Sequence, residues 1–355
     1  MSAGSLAGEI TVPFFAAMMC VTPAISRPTV PFGIRVPHDR AGAPVIRQQR
    51  RAYLWRTAAV GACCTLTVVL VKGHGSWWLA RLILLSELAA DFGCFWLARR
   101  KIAAAKRAED WFAGHRQVVA TDTSWRADPP RFPVLWLVPA LAVIAATVIT
   151  GVVRYPVLPA HLGGHHAPKS VPVAFAVVIA QLYVTALWTG LMLIVYRSRP
   201  DIEATDAAAS TRRYRRYLAA CTRAVLTLLA LVDLSLLLYA LRTWQVAPAL
   251  PAALPILPFA IGLLVLGAVM IRTGQGGSRL PGEESQPTQE TDRDDDRFWK
   301  AGLIYFNRDD PAIMVGARFG VGWTFNVANP MAWLILTGIV AVPAGLVTLA
   351  VTAGL

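Results

Sequence analysis

Eight apolar stretches, each about 17–25 residues long and so near the length of a bilayer crossing, divide this sequence. They lie at approximately 8–26, 55–72, 76–98, 134–153, 171–195, 218–241, 250–271 and 331–353. A helix at the surface of a water-soluble protein keeps one face polar, and these runs leave almost no polar face. A mean hydropathy of +0.50 and a charged fraction of only 15% say the same of the whole chain. The expected fold class is an all-α integral membrane protein: a bundle of about eight transmembrane helices with a small cytoplasmic module before the last one. Pro248, Pro251, Pro255 and Pro258 crowd the start of the seventh stretch. Proline is tolerated there because the first N–H groups of a helix have no helical partner.

A net charge of +13 on 355 residues raises the question of nucleic acid, and the placement of the charge answers it. Of the 34 Lys and Arg, 29 fall in the loops and flanks at 27–56, 99–131, 197–223 and 272–318. The intervening loops hold only Lys72, Arg154, Lys169 and Arg242, and Arg81 lies inside a span. This alternation is the positive-inside pattern. It places the basic loops in the cytoplasm and both termini outside, in a multi-pass protein of the cell (plasma) membrane. The expected partner is the lipid bilayer, with affinity for anionic headgroups; nucleic acid is not expected. No cleavable signal peptide is expected, since the first basic residue, Arg27, follows the first apolar run. The five cysteines lie in or beside spans, which argues against a disulfide framework and against CxxC zinc spacing.

The chain divides accordingly. Residues 1–272 form a seven-span bundle with an external loop at 153–170. Residues 273–295, poor in apolar groups and rich in Gly, Pro, Gln and acids, read as a disordered linker. Residues 296–330 form a cytoplasmic aromatic, Gly and Asp-Pro module, and 331–355 the last span. Arg99 to Val119 reads as a helix leaving the membrane. The basic run in DIEATDAAASTRRYRRY reads as a loop touching headgroups.

Candidate functional groups are few. Glu87 and Asp91 stand four apart in the third span and so share a helix face. With Asp233 in the sixth they form either a proton or cation pathway, or a buried cluster holding helices together through Arg81 or a Ser or Thr. His161, His165 and His166 fall within six residues of the external loop. Their spacing matches no standard zinc pattern, and a partner-binding loop is preferred to a metal site. There is no HExxH, G-x-S-x-G or Walker signature, so no enzyme activity, metal or cofactor is expected.

Three places resemble a group of multi-pass bacterial membrane proteins, chiefly actinobacterial. Tyr155-Pro156-x-Leu158-Pro159, with His161 and Lys169-Ser170, resembles the YPxLP…H…G…KS loop of a domain shared with SdpI-type immunity proteins, which protect bacteria from a secreted membrane-active toxin. Asp296 to Trp333 resembles a C-terminal domain of unknown function. The match runs through Trp299, Gly302, Tyr305, Asn307, Asp310-Pro311, Arg318-Phe319-Gly320, Gly322-Trp323-Thr324, Asn326 and Pro330. Pro31 to Pro37, and Trp111 to Thr123, are similar to cytoplasmic loops of the same group. The resemblance implies an architecture and no reaction.

Within the C-terminal block, Leu303 to Phe306 predicts a short strand, Asn307 to Pro311 a turn, and Arg318 to Trp323 a second extended or irregular piece. The block either caps the cytoplasmic face of the bundle or binds a partner there. The expected function is a non-enzymatic sensor or immunity-type protein with a peptide or toxin ligand outside and a protein partner inside. Alternatives are an ion- or proton-coupled transporter using the intramembrane carboxylates, and a structural scaffold.

Overall fold

The computed structural model describes residues 3–71, 77–118, 128–162, 167–198, 200, 202, 207–281, 290–292 and 294–352. His165 and His166, the tight turn 72–75 and the middle of the acidic stretch, 282–289, lie outside the described residues.

Eight long helices account for most of what is described: α1 (Ala3–Ile25), α2 (Pro44–Leu70), α3 (Trp77–Ala108), α4 (Val138–Arg154), α5 (Val171–Arg197), α6 (Ala207–Thr243), α7 (Ile256–Thr273) and α8 (Pro330–Thr352). Five of them, α2 and α4 to α7, are long and apolar enough to cross a membrane. Their outward faces carry Leu66, Leu70, Leu141, Val153 and Leu264 in the open. In lipid tails, unlike water, such a surface carries no penalty. The third helix differs by carrying Arg81, Glu87 and Asp91 within its apolar half.

Helix ends follow local chemistry. Proline stands at the first turn of α2, α4 and α5, where the missing N–H is harmless. Gly274, at φ +63°, ends α7 in the left-handed conformation that suits glycine. Asn329 caps α8, its Oδ1 accepting the N–H of Met331 at 2.9 Å.

Two corrections to the sequence reading concern helix extent. The helix expected over Arg99 to Val119 stops at Ala108. Asp110 and Gly114 both take positive φ, and the chain turns to a short strand β1 (Arg116–Val118). Conversely, the basic run at 207–217 is the start of α6 rather than a loop. At about 1.5 Å per residue, the 37 residues of α6 reach ~55 Å, well beyond a hydrocarbon core of about 30 Å, so its first turns stand outside the membrane.

The helices pack in two groups. α1, α2 and α3 pack on one another, while α6 is the hub of the second group and touches α4, α5 and α7. α1 touches α7 between them. Between α4 and α5, β2 (His161–Leu162) and β3 (Ala167–Pro168) pair antiparallel, and Leu158 and Leu162 pack in one cluster with Trp244.

At the end of the bundle that carries the C-terminal block, β1 pairs in parallel with β4 (Glu290–Asp292). β5 (Trp299–Lys300) and β6 (Ile304–Tyr305) form one hairpin, and β7 (Met314–Gly316) and β8 (Trp323–Phe325) another. A bridge between Tyr305 and Asn326 joins the hairpins. The strand expected at 303–306 is present as Ile304–Tyr305, and of the piece expected at 318–323 the part 318–322 is irregular while Trp323 opens β8.

Candidate functional site

The C-terminal module is built around buried charge. Arg35, in the loop after α1, donates from Nη1 to Asp292 at 2.8 Å and from Nε to Asp295 at 2.9 Å, and its backbone N–H bonds Asp296 at 3.0 Å. Lys106, near the end of α3, reaches Asp294 and Asp296, each at 2.7 Å. Arg318 pairs with Asp295 and Asp296, donates to the carbonyl of Gly33 at 3.1 Å and lies 4.8 Å from the Trp299 ring centroid. Arg35 and Arg318 are buried, so these ions must be compensated by each other rather than by water. Burial alone pushes the Asp295 and Asp296 carboxyls up. Arg35, Arg318 and Lys106 more than reverse this and hold both below the usual carboxylate range.

The segment Ala317 to Trp323 plugs the module into both helix groups, with Arg318-Phe319-Gly320 on the first. Phe319 sits in an aromatic nest with Phe95 (4.7 Å between centroids), Phe32 (5.9 Å) and Tyr53 (6.2 Å), all from the first group and its loop. The N–H of Gly320 donates to Ser26 Oγ at the end of α1, at 2.8 Å. On the other side, Gln275, just past α7, donates to the carbonyls of Ala317 (2.9 Å) and Gly322 (3.0 Å) and accepts the Gly322 N–H (2.7 Å). Trp323 donates to Tyr214 of α6 at 3.1 Å and stacks near Tyr217.

The remaining conspicuous residues hold the module to itself. Tyr305 is buried; its hydroxyl donates to Asp310 at 2.9 Å and accepts from Asn307 at 3.1 Å. Burial first, then the Asp310 contact, pushes this phenol up to about 12 despite the opposing Asn307 bond. Asn326, fully buried, accepts the Asn307 N–H and donates to the carbonyls of Asn307 and Asp310. Trp299 packs on Tyr305 at 5.1 Å. The polar groups of Tyr305, Asn307, Asp310 and Asn326 are thus engaged inside the fold.

The linker expected over 273–295 is ordered at both ends, a correction to that reading. Gln275 and Thr291 are buried, and Asp292, Asp294 and Asp295 sit in the ion cluster. An acid-rich composition is disordered only when its charges stay solvated, and here Arg35, Lys106 and Arg318 neutralise them. Of these partners Arg318 stood among the sequence candidates, whereas Arg35 and Lys106, with Arg99 bonding the Phe32 carbonyl at 3.2 Å, were not legible as site residues. The one available signal was the resemblance of Pro31–Pro37, which contains Arg35.

In the loop between α4 and α5, Lys169 Nζ gathers the carbonyls of Tyr155, Pro156 and Leu158, each at 3.4 Å, and lies over the Tyr155 ring. It therefore shapes the Tyr155–Pro159 turn, with His161 exposed beside it. No group of three or more potential metal ligands occurs among the described residues.

On α3, Glu87 and Asp91 are both buried, and none of their four oxygens has a hydrogen-bond partner among the described residues. Asp233 belongs to the other helix group, where Thr185 donates to its Oδ2 at 2.9 Å. Gly61 of α2 closes on the Glu87 side, a Cβ there falling 3.6 Å from Glu87 Oε1.

The comparisons bear on the module alone. A family of unknown function, DUF5808, matches residues 308–333, the part of the chain running from the Asp309-Asp310-Pro311 turn through Arg318-Phe319-Gly320 to the start of α8. No curated protein and no solved structure matches the chain. What stands on this ground is a protein with apolar helices fit for a membrane, carrying a C-terminal block similar to a family of unknown function.

Proposed function

We propose that the chain is a non-enzymatic sensor-type protein of the cell membrane, with about eight spans, whose cytoplasmic module reports the relative position of two helix groups. The observation that carries this reading is the double attachment of one short segment. Within six residues, Arg318, Phe319 and Gly320 grip the first loop, α2, α3 and α1, while Gly322 and Trp323 grip Gln275 and α6. Any ligand that shifts one group against the other strains this segment, and a strained two-sided contact is a switch. In this reading α1, α3 and α8 also cross the bilayer, the basic loops face the cytoplasm, and the ligand is an envelope-active peptide or toxin meeting the Tyr155–Lys169 loop. A cytoplasmic protein partner reads the module.

The test is survival of a deletion strain, with and without the restored gene, against a panel of membrane-active peptides. Selective sensitivity, rescued by wild type but not by a Gln275→Ala variant that inserts and accumulates normally, supports the reading. Full rescue by that variant sinks it. Failure of module variants to accumulate moves the assignment to a structural scaffold.

A second reading, an ion- or proton-coupled carrier, is favoured by the four unpartnered oxygens of Glu87 and Asp91. Carboxylates left so in a membrane helix are costly, and such residues commonly mark ion paths. It requires that Glu87→Gln abolish a proton or cation flux in vesicles while insertion is unchanged.

A further inference from the structure

In the second helix group a buried hydrogen-bond network lacks a single hydrogen. Its members are Thr147 on α4, Gln181 and Thr185 on α5 and Asp233 on α6, all inside the helix packing. Every donor is accounted for. The two hydrogens of the Gln181 amide go to Thr147 Oγ1 (3.1 Å) and to the backbone carbonyl of Asp233 (2.9 Å). The Thr147 hydroxyl donates to the Val143 carbonyl at 2.9 Å, and the Thr185 hydroxyl to Asp233 Oδ2 at 2.9 Å. Two acceptors remain with no donor among the described residues: Gln181 Oε1 and Asp233 Oδ1. Turning the amide over does not help, because it would set Gln181 Oε1 against the Asp233 carbonyl, which has no hydrogen to give.

We propose that Asp233 is a proton-binding site, its Oδ1 carrying the hydrogen that closes this network by donating to Gln181 Oε1. With that proton each donor and acceptor named above has a partner. Without it a full negative charge and two bare acceptors stand among helices in the membrane. No counter-charge is close on the elements packed around it. α4 carries only Arg154 at its outer end, and α5 only Arg197 at its inner end, with Tyr183 turned toward the carbonyls of Gly338 and Ile339 of α8. On α6 the nearest charges in sequence are Arg223 and Arg242, about nine or ten residues and so ~14 Å away along the helix, and α7 contributes Arg272 at its end. Proton release therefore loosens the α4–α5–α6 contact. The sensor reading does not rest on this site, and the observation that favours the carrier is the pair Glu87 and Asp91 in the other helix group.

The experiment is thermal unfolding of the full-length protein in nanodiscs between about pH 5 and pH 9, for wild type and Asp233→Asn. The amide introduced by that substitution would supply the missing donor and cannot ionise. Wild type is expected to lose at least about 3 °C in Tm as pH rises, with that loss absent in Asp233→Asn. Equal pH slopes overturn the proposal. So does a wild-type Tm restored at high pH by sodium but not by choline, which would make the occupant an alkali cation. Should Asp233→Asn not fold, infrared spectra of Glu87→Gln/Asp91→Asn decide. A protonated-carboxyl band at neutral pH that fades on alkalisation is expected, and its absence at neutral pH refutes the site.

Discussion

Gly33, in the first loop, and Gly302, in the turn between β5 and β6, meet backbone against backbone across 269 residues of sequence. Both take left-handed φ, +73° and +75°. A Cβ on Gly33 would fall 2.9 Å from the Gly302 Cα, and one on Gly302 would press into the guanidinium of Arg99. The contact lets Phe32, one residue earlier, reach Phe319, and lets the Gly33 carbonyl accept from Arg318. Close approach of two backbones thus precedes the ion cluster and the aromatic nest.

Gly33→Ala and Gly302→Ala are therefore expected to detach the module. The left-handed conformation alone costs an alanine ~1–2 kcal/mol, and the clash adds to it. Gly322, at φ +119° with nothing within 4 Å of an added Cβ, shows the strain without the clash, and Gly93, in α3 with open space, shows neither. Limited proteolysis of inserted protein should rank the variants Gly33 and Gly302 most sensitive, Gly322 between, and Gly93 like wild type. Equal resistance of Gly33→Ala and Gly93→Ala would mean that the loops do not meet.

The ion cluster predicts an acid limit. Because Asp295 and Asp296 are held below the ordinary aspartate value near 3.9, they stabilise the folded module at pH above about 4, and that contribution is lost as pH falls through their folded values. Trp299 emission, quenched differently once Arg318 leaves its ring, is expected to change below about pH 4. In Asp295→Asn/Asp296→Asn the same change should already be present at neutral pH. Arg318→Lys keeps the charge but cannot span two carboxylates, a carbonyl and a ring together, so it should shift the transition to higher pH.

The contrast with the sequence reading has a physical cause. Apolar runs determine the helices residue by residue, so α4, α5 and α7 could be placed from composition alone. The third helix was legible with its carboxylates because Glu87 and Asp91 interrupt an apolar background. The acidic run 292–296 was not, because its partners Arg35, Lys106 and Arg318 come from three distant segments, and solvated and paired aspartates have the same composition. Likewise Tyr305, Asn307, Asp310 and Asn326 stood out in the sequence as candidates for binding. Their spacing cannot tell a residue that binds a partner from one that binds its own fold.

Tyr305→Phe separates these two roles. Removing the hydroxyl leaves Asp310 Oδ2 without a donor and Asn307 Nδ2 without an acceptor, an expected cost of about 1–3 kcal/mol. The raised phenol adds a sign: its neutral form is favoured in the fold, so stability present below about pH 10 is lost as pH rises toward 12. Urea titrations at neutral pH and near pH 11 should find wild type converging on Tyr305→Phe at the higher pH. A variant as stable as wild type at neutral pH would free this residue for a partner.

Gln275 offers the sharpest test of the two-sided attachment, since one amide satisfies four groups. Its NH₂ donates to Ala317 and Gly322, and its Oε1 accepts from the Gly322 N–H and, at 3.1 Å, from the Tyr217 hydroxyl. Gln275→Leu keeps the bulk but strands two carbonyls, one N–H and one O–H in a buried place, an expected cost of at least about 3 kcal/mol. Gln275→Glu keeps the acceptor and loses both donors, so it should fall between. The loss is directional: the Phe319 nest and the Gly320 bond to Ser26 belong to the other helix group and should survive. Hydrogen exchange is therefore expected to quicken at 314–317, at 322–325 and at the start of α6, while 318–320 and the Gly33 loop stay protected. If protection is lost on both sides together, the module is one cooperative unit and cannot register the position of one helix group against the other.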